Sequence, residues 1–120
     1  MTSRIIAVDP FDLVVFGGTG DLAYRKLYPS LYLRDLDGQF SEPTRIVGLS
    51  RQQLDDPGFR AKVEAALRRF VRANQMVDDV LRRFLGRLHF IRLDASGESG
   101  WDGLKALIAD GLDRVRAFYL

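Results

Sequence analysis

Cysteine is absent from the chain and histidine occurs once, at His89. Without thiols there can be no disulfide framework, no thiolate metal site and no cysteine nucleophile, and a single imidazole excludes a histidine-rich metal cluster. The composition suits a reducing compartment, and a cytoplasmic location is expected. Long apolar runs are missing too: the longest, such as Leu13 to Phe16, fall far short of the roughly 20 residues that span a bilayer. The opening MTSRIIAVDPFDLVV has neither the long apolar stretch nor the small-residue cleavage site of a signal peptide. Charge of one sign is also scarce. Eighteen Lys and Arg against 16 Asp and Glu leave a net charge of +2, which by itself implies no nucleic-acid or acidic partner, although 15 of those cations are Arg. What the chain does have is apolar material, 47% of 120 residues, enough for the core of one domain.

Phe11 to Phe16 reads FDLVVF, almost continuously apolar, as expected of a strand covered on both faces. Gly17 and Gly18 end it, and from Asp21 the apolar spacing changes to a helical period, with Ala23, Leu27 and Leu31 on one face. Pro29 removes a backbone donor inside that pattern, so a kink or a shortened second half is expected. Leu36 to Pro43 carries loop chemistry, and Ile46 to Leu49 reads as a second strand. Asp55, Asp56 and Pro57 suit a helix start, followed by Phe59, Val63, Leu67, Phe70 and Val71 at helical spacing. Asn74 and Gln75 interrupt it before a shorter helix that stops at Gly86. Leu88 to Leu93 is a third strand, Trp101 to Val115 a helix, and Val115 to Leu120 begins a fourth strand. The order β-α-β-α-α-β-α-β predicts an α/β fold with a mostly parallel sheet and helices on both faces. VRAFYL at the end looks like the interior of a buried strand, so the sequence is expected to be a piece of a longer protein, cut within its fourth strand.

Between the first strand and the first helix, Gly17-Gly18-Thr19-Gly20-Asp21-Leu22-Ala23 fits G-x-x-G-x-x-A, a relative of the Rossmann dinucleotide fingerprint. Gly17 would permit the tight exit from the strand, Gly20 the approach of a pyrophosphate to the backbone, and Ala23 close packing of helix on sheet. A helix N-terminus offers unpaired N–H groups and a partial positive charge, so it binds anions without a side-chain cation. The competing explanation is a tight turn that happens to use glycine. At the tip of strand two, Gly48-Leu49-Ser50-Arg51-Gln52 contains no carboxylate. Arg51 offers a planar fork suited to the 2′-phosphate of NADP, with Ser50 or Gln52 adding neutral hydrogen bonds, which favours NADP over NAD. Arg51 could equally be a solvated loop cation, and Lys26, one turn beyond Ala23, taken alone reads as a surface lysine.

FGGTGDLAYRKLYPSLY followed by RIVGLSRQ and RLHFIRLDA resembles the N-terminal coenzyme domain of the glucose-6-phosphate 1-dehydrogenase family over nearly the whole chain. The resemblance implies an NADP-binding, Rossmann-like N-terminal part whose large catalytic domain is not among these residues. It places the coenzyme on Gly17, Gly18, Thr19, Gly20, Asp21, Leu22, Ala23 and Arg51, with Asp94 and Ala95 on its adenosine half, and Lys26 near the sugar phosphate. Ala95 replaces a commoner Val, and Tyr24 stands where many members carry Lys or Arg. In that family glucose 6-phosphate gives a hydride from C1 to NADP and becomes the lactone, in the pentose phosphate pathway, with a histidine as general base. The motif of that histidine is not found here, and His89 does not match it. The resemblance therefore implies a homo-oligomeric enzyme when whole, and no catalytic residue in this stretch.

Other readings fit less of the sequence. A short-chain or epimerase-like reductase needs a Tyr and a Lys four apart, which Tyr24 and Lys26 do not supply. A nucleic-acid-binding module could use the cations Arg60, Lys62, Arg68, Arg69, Arg72, Arg82, Arg83, Arg87 and Arg92, opposed only by Glu64, Asp78 and Asp79. These alternate with core positions and read first as a solvated face, so neither nucleic acid nor membrane is expected as a partner.

Overall fold

The computed structural model describes residues 9–93, 101–109 and 115–119. Strand β1 (Phe11–Phe16) leads into a helix that opens at Asp21, passes through a π-helical turn at Ala23–Leu27 and continues as α1 (Tyr28–Leu36). Strand β2 (Arg45–Ser50) is followed by α2 (Asp56–Phe70), a 3₁₀ turn at Ala73–Gln75 and α3 (Asp78–Gly86). Strand β3 (Leu88–Arg92), α4 (Trp101–Ala109) and β4 (Val115–Tyr119) complete the described elements. The expected element order holds throughout. Every strand pair is parallel, and the sheet runs β3-β2-β1-β4.

That order explains why helices lie on both faces. A parallel crossover is right-handed, so two successive steps in one direction, β1 to β2 to β3, put their helices on one face. The return from β3 across β1 to β4 reverses direction and puts α4 on the other. The side chains follow suit. Leu13, Val15, Ile46, Leu88 and Phe90 pack with α1, α2 and α3, whereas Val14, Val47, Leu49 and Leu93 pack with Leu104 of α4. The strand order reverses beside the carboxyl end of β1, which is where open α/β sheets form their ligand crevice.

At Pro29 the expected irregularity takes the form of a widened turn. Proline lacks an N–H and its ring crowds the carbonyl four residues back, and the turn before it is π-helical, with the Tyr28 N–H donating to the carbonyl of Ala23 five residues earlier. The extra residue shifts the buried face. Tyr28 and Tyr32 are fully buried while Leu27, which the four-residue spacing assigns to the core, is only half-buried.

The cations between Arg60 and Arg92 are not a uniformly solvated face. Arg83 and Arg87 pair with the buried Asp35 of α1, and Arg87 is itself buried. Arg60 donates to the carbonyl of Leu88, Arg68 pairs with Glu64, and Arg82 pairs with Asp79. Asp35 lies about fifty residues from its partners in sequence, which is why a local count of opposing charge overlooks it. Among the described residues, no helix is long and apolar enough to cross a membrane.

Candidate functional site

The chain leaves β1 through Gly17, whose φ of +71° lies in the left-handed region that a side chain would disfavour. The turn then closes on itself, with the Gly20 N–H donating to the carbonyl of Gly17 at 2.9 Å. Gly18 ties it to the neighbouring strand: its N–H donates to the carbonyl of Leu49 at 2.9 Å. The approach is so close that a Cβ on Gly18 would stand 2.8 Å from the Cα of Gly48 and 3.1 Å from the Leu49 nitrogen. A Cβ on Gly20 would stand 3.1 Å from the Gly17 oxygen.

The helix opens directly after this turn. Its first internally bonded amide is that of Tyr24, which donates to the carbonyl of Gly20 at 3.2 Å, so the amides of Asp21, Leu22 and Ala23 stand at the open end. Ala23 is buried against the sheet, as helix-to-strand packing requires, while Asp21 and Leu22 are exposed. Asp21 forms a surface pair with Arg25, at 3.3 Å. Thus Gly17 to Ala23, read from spacing alone as a phosphate-binding turn, form one continuous corner at a helix start, with glycine at 17, 18 and 20.

Tyr28 holds that corner from beneath, a role the sequence pattern does not reveal. Its hydroxyl donates to the carbonyl of Gly18 at 2.7 Å, and its ring stands edge-on to Phe59, centroids 5.7 Å apart. Phe59 in turn fills the space over Gly48, where a Cβ would come within 2.7 Å of the ring. Burial, with Tyr24 beside it, pushes the Tyr28 phenol far above the usual range, so it remains a donor at every physiological pH. Tyr28→Phe is expected to cost about 1–3 kcal/mol of stability by orphaning a buried carbonyl, with the glycine turn loosened; chemical denaturation measures it, and a neutral result would deny the strut.

The tip of β2 is also fixed by its neighbours. The Gln52 N–H donates to the Ser50 hydroxyl at 3.2 Å, and the Leu93 N–H donates to the Ser50 carbonyl at 2.8 Å. Arg51 is exposed, and its side chain has no carboxylate partner among the described residues. Its carbonyl accepts from Nε of Arg92 at 3.0 Å, a contact between strand ends 41 residues apart. Lys26 is exposed on the π-helical turn and makes no ion pair among the described residues. Asp94 and Ala95 lie outside the described residues. His89 sits far from these groups in role: its Nδ1 is 3.4 Å from Asp56, whose other oxygen accepts from the Phe90 N–H at 2.7 Å, so this pair secures the sheet's edge to α2.

Comparison with known proteins gives the family. Residues 14–120 match the family described as glucose-6-phosphate dehydrogenase, NAD binding domain. The whole chain is 50% identical to a stretch of 120 residues in a glucose-6-phosphate 1-dehydrogenase of Rhizobium meliloti, and covers 24% of that protein. A counterpart from Mycolicibacterium smegmatis is 47% identical over 118 residues, covering 94% of this chain and 24% of its own. Among solved structures, a glucose-6-phosphate dehydrogenase in complex with its substrate glucose 6-phosphate superposes with a TM-score of 0.81 and 24% identity, over all of this chain and 25% of that one. The enzyme from Mycobacterium avium gives 0.75 over 93% of this chain and 23% of its own. This chain therefore spans about a quarter of the length of the relatives it matches. Gly17 to Ala23 and Arg51 fall inside the matched span, and by that match the chain belongs to the glucose-6-phosphate dehydrogenase family as its NAD-binding domain.

Proposed function

We propose that this chain is the NADP-binding portion of a dehydrogenase that oxidises glucose 6-phosphate at C1 to the lactone. The observation that carries the reading is the Gly17-to-Ala23 corner: a strand exit, a turn with no room for a Cβ at Gly18, and an open helix end at Asp21. A pyrophosphate needs bare backbone and convergent N–H donors, and these residues fit it. The amides of Asp21 to Ala23 would hold the pyrophosphate, and Arg51, with Ser50 or Gln52, the 2′-phosphate. Asp94 and Ala95 would contact the adenosine half, by correspondence with the family. The bound coenzyme supplies the hydride acceptor for C1.

The residues of this chain bind and orient; they do not move the proton. Lys26, on the same helix as the phosphate corner, would stand near the sugar phosphate and offset its charge. A base poised near neutral pH is what removal of a hydroxyl proton wants, and the lone imidazole, His89, is held by Asp56 at the sheet's edge. These residues alone are accordingly expected to bind NADP without forming NADPH from glucose 6-phosphate. The remaining three quarters of the relatives' length would carry the base and the sugar site.

Arg51 tests the coenzyme assignment. Arg51→Ala is expected to weaken NADP by about 1.5–3 kcal/mol, the range for a hydrogen bond to a charged group, while sparing NAD. Titration calorimetry with both coenzymes decides it. An equal loss for both would refute the 2′-phosphate role.

A further inference from the structure

We infer that Arg92 is a second reader of the coenzyme's 2′-phosphate, so that the preference for NADP is set by two guanidinium groups rather than by Arg51 alone. The inference rests on the NADP reading above. Arg92 closes β3 as the register partner of Ser50, the residue before Arg51. Its Nε is spent on the Arg51 carbonyl, at 3.0 Å, which anchors the guanidinium plane on the tip of β2. The terminal nitrogens of Arg92, and the whole fork of Arg51, have no acceptor among the described residues, and both side chains are exposed.

The Arg92 guanidinium thus lies against the backbone of a second exposed arginine at the sheet's carboxyl edge, and an anion bound beside them would be attracted by both charges. A ribose 2′-hydroxyl needs neither, whereas a phosphate monoester carries between one and two negative charges near neutral pH and takes several charge-assisted donors. The Ser50 hydroxyl adds to the set: as an acceptor from the Gln52 N–H it keeps its own proton free to donate. Among the described residues, the strand ends thus supply donors for a doubly charged group and no carboxylate suited to a diol.

The test uses the intact protein with adenosine 2′,5′-bisphosphate and adenosine 5′-monophosphate as probes, by calorimetry across a salt series. Arg92→Gln keeps an amide that can reach the Arg51 carbonyl but removes the charge. It is expected to weaken the bisphosphate about tenfold, leave the monophosphate unchanged and flatten the salt dependence, with Arg92→Lys recovering part of the loss. The loss should persist in an Arg51→Ala background. Unchanged bisphosphate binding in Arg92→Gln, or a loss that vanishes once Arg51 is alanine, would overturn the inference while leaving Arg51 as the phosphate residue. A wild-type protein that binds both probes equally would overturn the NADP reading itself, and Arg92 with it.

Discussion

Asp35→Ala is expected to remove a large share of this protein's stability, about 3–5 kcal/mol out of the 5–15 kcal/mol typical of a folded domain. Asp35 is fully buried on α1 and accepts from two arginines at once: Nε and a terminal nitrogen of Arg83 at 3.1 and 2.9 Å, and Nε of Arg87 at 3.0 Å. Arg87 also donates to the carbonyls of Ser41, Glu42 and Thr44, at 2.8, 2.9 and 3.2 Å, and stacks over Phe40. It thereby pins the loop that leads into β2. Removing the carboxylate strands a guanidinium that is only 4% exposed, and the desolvation of that charge is no longer offset. Urea denaturation of the variant measures the loss. Arg82→Ala, which breaks the exposed pair with Asp79 at 3.5 Å, serves as the contrast and is expected to leave the midpoint unmoved. Equal, small effects from both would show that the buried network contributes nothing.

Gly18→Ala is expected to cost about 3 kcal/mol and to abolish dinucleotide binding together. The added methyl would meet backbone rather than the flexible end of a side chain: the Gly48 Cα at 2.8 Å and the Leu49 nitrogen at 3.1 Å, with the Tyr28 hydroxyl at 3.0 Å. Relief requires β1 and β2 to part at their carboxyl ends, and this is the rim that supports both the glycine corner and Arg51. Stability and coenzyme affinity should therefore fall in one variant, readable by thermal unfolding and calorimetry. Gly86→Ala is the control, since nothing lies within 4 Å of a Cβ there and the residue ends α3 without a left-handed φ. It is expected to be neutral or slightly stabilising. A Gly18→Ala protein that binds NADP normally would mean that the corner does not hold the pyrophosphate.

Much of this fold is legible along the chain. FDLVVF has apolar side chains at successive positions and is rich in β-branched and aromatic residues, as a strand covered on both faces is, and Val14 and Val15 indeed face opposite cores. Asp55 caps α2 through the Gly58 N–H at 2.8 Å, at the helix start its residue type suggests. The G-x-x-G-x-x-A string sits at the strand exit and helix start that its chemistry needs. Tyr28 was hidden because a four-residue step points to Leu27, and a π-helical turn advances by five. Arg87 was hidden because an arginine on a helix reads as solvated until its partner is known.

Local spacing and the missing Cβ atoms were enough to determine the alternation of strands and helices, the glycine corner at the helix start and the place of Arg51 just past the end of β2, since each depends on neighbours a few residues apart. The strand order, the buried Asp35 network, the strut from Tyr28 to Gly18 and the meeting of Arg92 with Arg51 were decided only in three dimensions. Pairings such as Arg92 with Arg51 join residues 41 apart, and which strand ends become neighbours is set by crossover direction, a property of the assembled sheet that no short window of sequence carries.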